Sequence, residues 1–457
     1  MIRILRFAAV ALLTTVVAAP SFAAGARGTA NFSQTVAFGD SFGAGVSNVG
    51  LNITHQRYSW PAVLARQVGL NTDCATDGPN CFQIPYISEP GILPELYLAS
   101  LFPPTIALKP GLGSPLNSGL GRPYNNLSID GAEVNDILNL DLDDNEALNG
   151  PIVLRGQGQA IDQALRLNPT FVIMWIGGDD AFNGVQGGDP ALMTPLAAFT
   201  TSYTTVLDRL TAGAPNAGIV VGNLPVDLSS IPFLTLIPPY LVNPSTGQPV
   251  LDPAGNKIFY IADLGKGVFG QLPPGSLVLL TARSLLATGY GIPAALKPLI
   301  PLPNVGKPLP NEAVLTPSEL TAIGQRITEY NSAIAAAAAA KNIPVVDING
   351  FFSRVKNGVQ VGPMKLTLGY ITGGLISLDA VHLTDVGYTL FANEYIKTIN
   401  SAYGTRIPLA GIGQLLQNND PSLFSSSAVP VFDPSASAAL HMLSEPAKTP
   451  VRHRSAH

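Results

Sequence analysis

The sequence predicts an α/β chain: a three-layer α/β/α sandwich around a mostly parallel sheet, enlarged by Pro- and Leu-rich insertions. Three observations carry this. Short apolar runs alternate with helical periods: Ala160–Leu167 before Phe171–Ile176, Leu192–Ala212 before Gly218–Gly222, and the Ala-rich Pro317–Lys341 before Ile343–Val346. Strands that alternate with helices pair in parallel and carry helices on both faces, with sites at their carboxyl ends. The run Val36-Ala37-Phe38 ends in Gly39-Asp40-Ser41-Phe42-Gly43, which sets a serine on a tight turn at the end of a first strand. Far along the chain, Asp379 precedes His382 by one turn.

A serine hydroxyl is a poor nucleophile at neutral pH and needs an adjacent base, itself held by a third group. Of the five histidines, His441, His453 and His457 fall in a Ser/Ala/Pro-rich tail. His55 has no carboxylate within a few residues to orient it, whereas Asp379 can hold the ring nitrogen of His382 that faces away from the serine. The expected catalytic set is therefore Ser41, His382 and Asp379.

These residues resemble a known family. Gly39-Asp40-Ser41 and Asp379-x-x-His382 are similar to the outer blocks of the GDSL, or SGNH, hydrolases. Asn126-Leu127-Ser128-Ile129-Asp130-Gly131-Ala132 resembles the second block, whose glycine offers a backbone N–H to the oxyanion. Phe171 to Asp180 resembles the third, and Val220–Pro225, Tyr330-Asn331 and Ile343–Asp347 are weaker echoes. The resemblance implies a flavodoxin-like sheet and a secreted ester hydrolase, with Ser41, Gly131 and residue 179 at the oxyanion. It further implies an acyl-ester or lipid substrate and no metal or organic cofactor. Gly39-x-Ser41-x-Gly43 also satisfies G-x-S-x-G, but the elbow fold that carries that pattern places strands before its serine and its acid well before its histidine. The third block departs from the family, with Asp179 where an asparagine amide is expected. Losing one oxyanion donor costs about 3 to 4 kcal/mol. An ionised carboxylate about 4 Å away adds on the order of 4 kcal/mol of repulsion at an effective dielectric near 20. The expectation is that Asp179 holds the site protonated or hydrogen-bonded, because burial beside Asp180 disfavours two charges. Otherwise it turns away in favour of Asn183 or water, or the enzyme is slow.

In chain order, Met1 to Arg6 is basic, Phe7 to Ala19 apolar, and Ser21-Phe22-Ala23 offers a cleavage site, so residues 1–23 read as a signal peptide and the protein as secreted or periplasmic. A retained signal anchor is the other reading; no later apolar run approaches the ~20 residues of a membrane span. The chain of 457 residues is 46% hydrophobic and 12% charged with a net charge of -5, so no basic cluster invites nucleic acid. Oligomeric state is not legible. The catalytic domain spans 31–403. Cys74 and Cys81, close together in an exported chain, are expected to form a disulfide, with a loop-entropy contribution of roughly 2.5 kcal/mol.

Residues 86–123 read as an irregular excursion forming one wall of a cleft. Glu133–Leu138 reads as helical. Asp141, Asp143, Asp144 and Glu146 form a solvated acidic turn rather than a calcium loop, since Glu146 stands where an EF-hand needs glycine. The insertion at 225–310, broken by prolines, either caps the site to receive an acyl chain or only packs on the body. Thr384 caps a last helix whose Tyr388, Phe391, Tyr395, Ile396 and Ile399 form an apolar stripe. Residues 404–457 read as a low-complexity, partly disordered tail, too short for a barrel translocator. Two further functions stay open: a non-catalytic binding protein that kept the fold, and a carbohydrate O-acetyl esterase, for which the Leu/Pro-rich insert is a poor match.

Overall fold

The computed structural model describes residues 25–74, 76–101, 104–140, 148–228, 231–244, 246–265, 267–361, 364–417 and 431–442. The signal segment and the acidic turn at 141–147 lie outside the described residues.

Strand β1 (Thr35–Gly39) leads into a four-residue helical turn, α1 (Ser41–Ala44). Helices α2 (Ile53–Gln56) and α3 (Trp60–Gln67) follow. Where an irregular excursion is expected, the chain instead forms a hairpin of β2 (Leu96–Leu101) and β3 (Pro104–Leu108). Ile106 and Leu96 bury their side chains, so apolar alternation is enough to pair them despite flanking prolines. Short helices α4 (Asp136–Asn139) and α5 (Gly150–Leu154) precede α6 (Ala160–Arg166), β4 (Phe171–Trp175) and α7 (Gly178–Gln186). Then come α8 (Leu196–Gly213), β5 (Gly218–Gly222) and the insertion, which opens with α9 (Pro232–Thr235).

The main sheet runs β1-β4-β5-β10, with β10 at Val345–Val346, and every pairing is parallel. Asn125–Ile129 extends it beyond β1 through Leu127 N–H to Ala37 O (2.9 Å) and Ile129 N–H to Gly39 O (3.0 Å). β1, β4 and β5 are buried along their whole length, as strands covered on both faces must be. One helical layer holds α3 and α13 (Asp385–Tyr403), locked by the stacked rings of Trp60 and Tyr395. The other holds α8 and α11 (Pro317–Ala339), locked by Phe199 against Tyr330. The capping box Thr316/Glu319 starts α11, and Thr384 caps α13 through the Gly387 N–H. The apolar stripe of α13 is fully buried.

The insertion has its own small core, including Tyr260, Ala262, Val278 and Leu309. It is built on one short hairpin, β6 (Ile261–Asp263) with β7 (Phe269–Gln271), and on an antiparallel pair distant in sequence, β8 (Leu277–Val278) with β9 (Val314–Leu315), and carries α10 (Arg283–Ala287). After β10 come α12 (Ile348–Lys356) and the hairpin β11 (Val359–Val361) with β12 (Met364–Leu366). Beyond α13, α14 (Gly413–Gln417) precedes a departure from the expected tail: β13 (Val431–Phe432) joins β3 in parallel, and α15 (Pro434–Met442) buries Ala436, Ala439 and Leu440. Cys74 and Cys81 are joined in a disulfide.

The turn after β1 admits little substitution. A Cβ at Gly43 would stand 2.3 Å from Ser128 Oγ, which is itself buried. Gly43→Ala should therefore lower the stability measured by urea unfolding, by about 1 to 3 kcal/mol. An unchanged midpoint would contradict this tight contact.

Candidate active site

β1 ends at Gly39, and Asp40 then caps α1 by accepting the Phe42 N–H (3.0 Å), so the chain turns sharply and delivers Ser41 at the carboxyl edge of the sheet. Gly45, at φ 90°, closes the turn by donating its N–H to Ser41 O (3.0 Å). The loop before α13 comes back to the same edge. There His382 Nε2 lies 2.9 Å from Ser41 Oγ, and Nδ1 lies 3.0 Å from Asp379 Oδ2. The three residues predicted from sequence thus come together across more than three hundred residues of chain.

Asp379 is fully buried, and both its oxygens are bonded. Oδ1 accepts the Val381 and His382 N–H groups (2.9 and 2.8 Å), a local turn made possible by Ala380 at φ 67°. Oδ2 accepts the Val49 N–H (2.7 Å) beside the His382 ring. Burial alone would raise this carboxyl, but the attraction of His382 and the hydrogen bonds from the ring and the backbone reverse that and hold it down to about 2. The reciprocal balance in His382, where burial lowers and Asp379 raises, ends above the ordinary imidazole value.

Beside Asp179 and Asp180, two carboxyls not singled out from sequence, Asp40 and Asp130, lie close to this triad. Asp40 is 1% exposed and its Oδ2 has no hydrogen-bond partner among the described residues. Burial, opposed by the Phe42 N–H and His382 and reinforced by Asp130, pushes it up to about 7. Asp130 is raised by burial, with His382 and the Gly131 N–H pulling it back. Gly131 itself, at φ 75°, turns the chain at the end of the segment beside β1. Asp179 lies in the first turn of α7, after Gly177 at φ 106°, and burial followed by the fields of Asp40, Asp130, Asp180 and Glu133 raises it well above the carboxylate range. Asp180, buried, accepts the Val134 N–H (2.9 Å) and is also raised by burial and by Glu133. Asn183 bonds Glu133 Oε1 (2.8 Å), which engages the amide considered as a substitute for residue 179. The signal for this cluster was present in the sequence, since Asp40 and Asp130 directly precede Ser41 and Gly131.

The weaker sequence echoes have a structural part. Asn223 Oδ1 accepts the Asn349 N–H (2.8 Å), and Asn331 bonds both backbone groups of Leu224 (2.7 and 2.8 Å), tying the end of β5 to the helices around it. The insertion reaches the Asp379–His382 loop where Phe233 N–H donates to Ala380 O (3.0 Å). Among the described residues no group of three or more His, Cys, Asp or Glu is arranged to hold a metal ion, and no helix is long and apolar enough to cross a membrane.

The titrating groups set the pH response of stability. Asp40, Asp130, Asp179 and Asp180 have raised pKa values, as do His55 and His382. A raised group contributes stability below its unfolded value, about 4 for Asp and 6.5 for His, and loses it as pH climbs through the folded value. Asp379 and Glu95, held down to about 2, lose their contribution only in acid. The melting temperature should therefore be higher near pH ~5 than near pH ~8 by scanning fluorimetry; a rise toward pH ~8 would contradict the charge placement.

None of the curated proteins matches this chain at a significant level. Among solved structures, the extracellular lipase from Streptomyces rimosus shares 14% identity, with 81% of this chain and 99% of that one covered and a TM-score of 0.34. Phospholipase A1 from Streptomyces albidoflavus NA297 shares 15%, with 81% and 100% covered and a TM-score of 0.32. The Clostridium thermocellum family 3 carbohydrate esterase shares 14%, with 81% and 97% covered and a TM-score of 0.31. Residues 35–395 match the family described as GDSL-like Lipase/Acylhydrolase, which takes in the strand that delivers Ser41, the Asp379–His382 loop and most of α13. The chain belongs to that family of ester hydrolases.

Proposed function

We propose that this chain is an exported serine ester hydrolase that works through an acyl-enzyme. The observation that carries the reading is the continuous hydrogen-bonded line Asp379 Oδ2, His382 Nδ1, His382 Nε2, Ser41 Oγ, with its acid fully buried and bonded on both oxygens. His382 Nε2 takes the Ser41 proton as Oγ attacks the ester carbonyl. The proton then passes to the leaving alcohol, and water reverses the sequence to release the acid. Asp379 fixes the ring tautomer and steadies the imidazolium. Backbone N–H groups of Ser41 and Gly131 bind the oxyanion. Asp179 serves there as a protonated donor, a role supported by burial and by four neighbouring carboxyls that resist its ionisation. The Leu- and Pro-rich insertion, which touches the Asp379–His382 loop at Phe233, is proposed to receive an acyl chain rather than a sugar.

Ser41→Ala should cost at least ~10⁴-fold in kcat on p-nitrophenyl esters and abolish labelling by a fluorophosphonate probe. Labelling that persists in the variant, or is absent from the wild type, would leave a non-catalytic binding protein as the better reading. Rates across esters from acetate to palmitate decide between a lipase-like acyl preference and an acetyl esterase.

The oxyanion role of Asp179 has its own signature. As a base, His382 must be neutral, so kcat/KM rises as pH climbs through its raised value; as a donor, Asp179 must be protonated, so kcat/KM falls as pH climbs through its own. In Asp179→Asn the alkaline limb should vanish while the acid limb stays. A profile and rate identical to wild type would remove residue 179 from the oxyanion.

A further inference from the structure

We propose that His55, outside the Asp379–His382–Ser41 line, is a positioning residue: its ring ties Glu95 to Asp385 and thereby seats the Asn48–Val49 turn beneath the Asp379–His382 loop. This rests on the reading of Ser41, His382 and Asp379 as the catalytic line.

His55 sits on α2, held there by Asn52, whose side-chain oxygen accepts the Thr54 and His55 N–H groups (3.0 and 3.4 Å). Its Nε2 lies 2.8 Å from Glu95 Oε2 and its Nδ1 lies 2.8 Å from Asp385 Oδ1, partners 40 and 330 residues away. Carboxylates only accept, so both bonds are made together when both ring nitrogens carry a proton. The three side chains are between 7% and 19% exposed, which removes most of the competition from water. Lys109 also bonds Glu95 and pairs with Glu89 at 3.7 Å, so Glu95 stays an anion.

What the tie holds is the bed of the catalytic acid. Leu96, next to Glu95, donates its N–H to Asn48 O (2.8 Å). Asn48 N–H donates to Ser377 Oγ (3.0 Å), and Asn48 Oδ1 accepts the Leu378 N–H (2.9 Å). Val49 N–H then reaches Asp379 Oδ2 at 2.7 Å, the same oxygen that orients the His382 ring. Asn48 and Val49 both lie in the left-handed region, at φ 54° and 68°, a conformation that a β-branched residue keeps only where its surroundings impose it. Asp385, on the other side of the ring, opens α13 three residues after His382. His55 therefore fastens the strand that supports Val49 to the helix that follows the base.

The test compares His55→Ala, Asp385→Asn and the double variant by steady-state kinetics on p-nitrophenyl butyrate and by fluorophosphonate labelling rate, with folding verified by circular dichroism. A displaced acid should lower kcat and the labelling rate roughly ten- to hundredfold, with KM within about twofold. The double variant should be no worse than the poorer single one, because both changes break the same tie. Glu95→Gln, nearly isosteric, serves if His55→Ala does not fold and should show the same loss of kcat. Folded variants with wild-type kcat and labelling, or with only KM raised, overturn the inference. Absence of Ser41-dependent labelling in the wild type overturns the catalytic reading and this inference with it, whereas wild-type labelling in the variants overturns this inference alone.

Discussion

A single carboxylate in the dry interior sets the terms for the rest of the molecule. Asp379 has no contact with solvent, and an unpaired charge there would be costly by several kcal/mol. Four donors meet it: Val381 and His382 from its own turn, Val49 from 330 residues earlier in the chain, and the His382 ring. Three of the four are backbone groups, so the acid's position is fixed by chain path rather than by flexible side chains. The parallel sheet supplies that path by bringing β1 and its following loops to the carboxyl edge, where the loop before α13 closes over them.

The acid's neighbourhood pulls against ordinary hydrolase electrostatics. Asp40, Asp130 and Asp179 crowd the region where, in the proposed mechanism, negative charge develops on the substrate. Burial and mutual repulsion keep these groups protonated over a wider pH range than a solvated aspartate. That converts a repulsive cluster into neutral groups, at the expense of stability once they ionise.

The sheet, its flanking helices and the hydrogen-bonded Asp379–His382 pair are legible because their signals are local. Strands of four or five apolar residues, helices with a 3.6 period and Asp379 one turn before His382 can be seen in short windows of sequence. What is not legible depends on distance. His55 has no carboxylate near it in sequence, yet folding brings two to it from remote segments. The β2–β3 hairpin was hidden by prolines that sit at strand ends, where no ladder hydrogen bond is lost. Within the supposed low-complexity tail, Val431–Phe432 pairs because β3 offers an open edge, which nothing in the tail's own composition announces.

That last pairing bears on how the chain reaches its final form. β3 is made more than three hundred residues before β13 and must wait with one row of backbone amides and carbonyls uncovered. During synthesis, any partly built molecule thus presents a sheet margin to which a neighbouring copy can add its own strand. The late arrival of Val431–Phe432, followed by α15, seals that margin, so the end of the described chain works as a built-in guard against aggregation as well as a piece of the core.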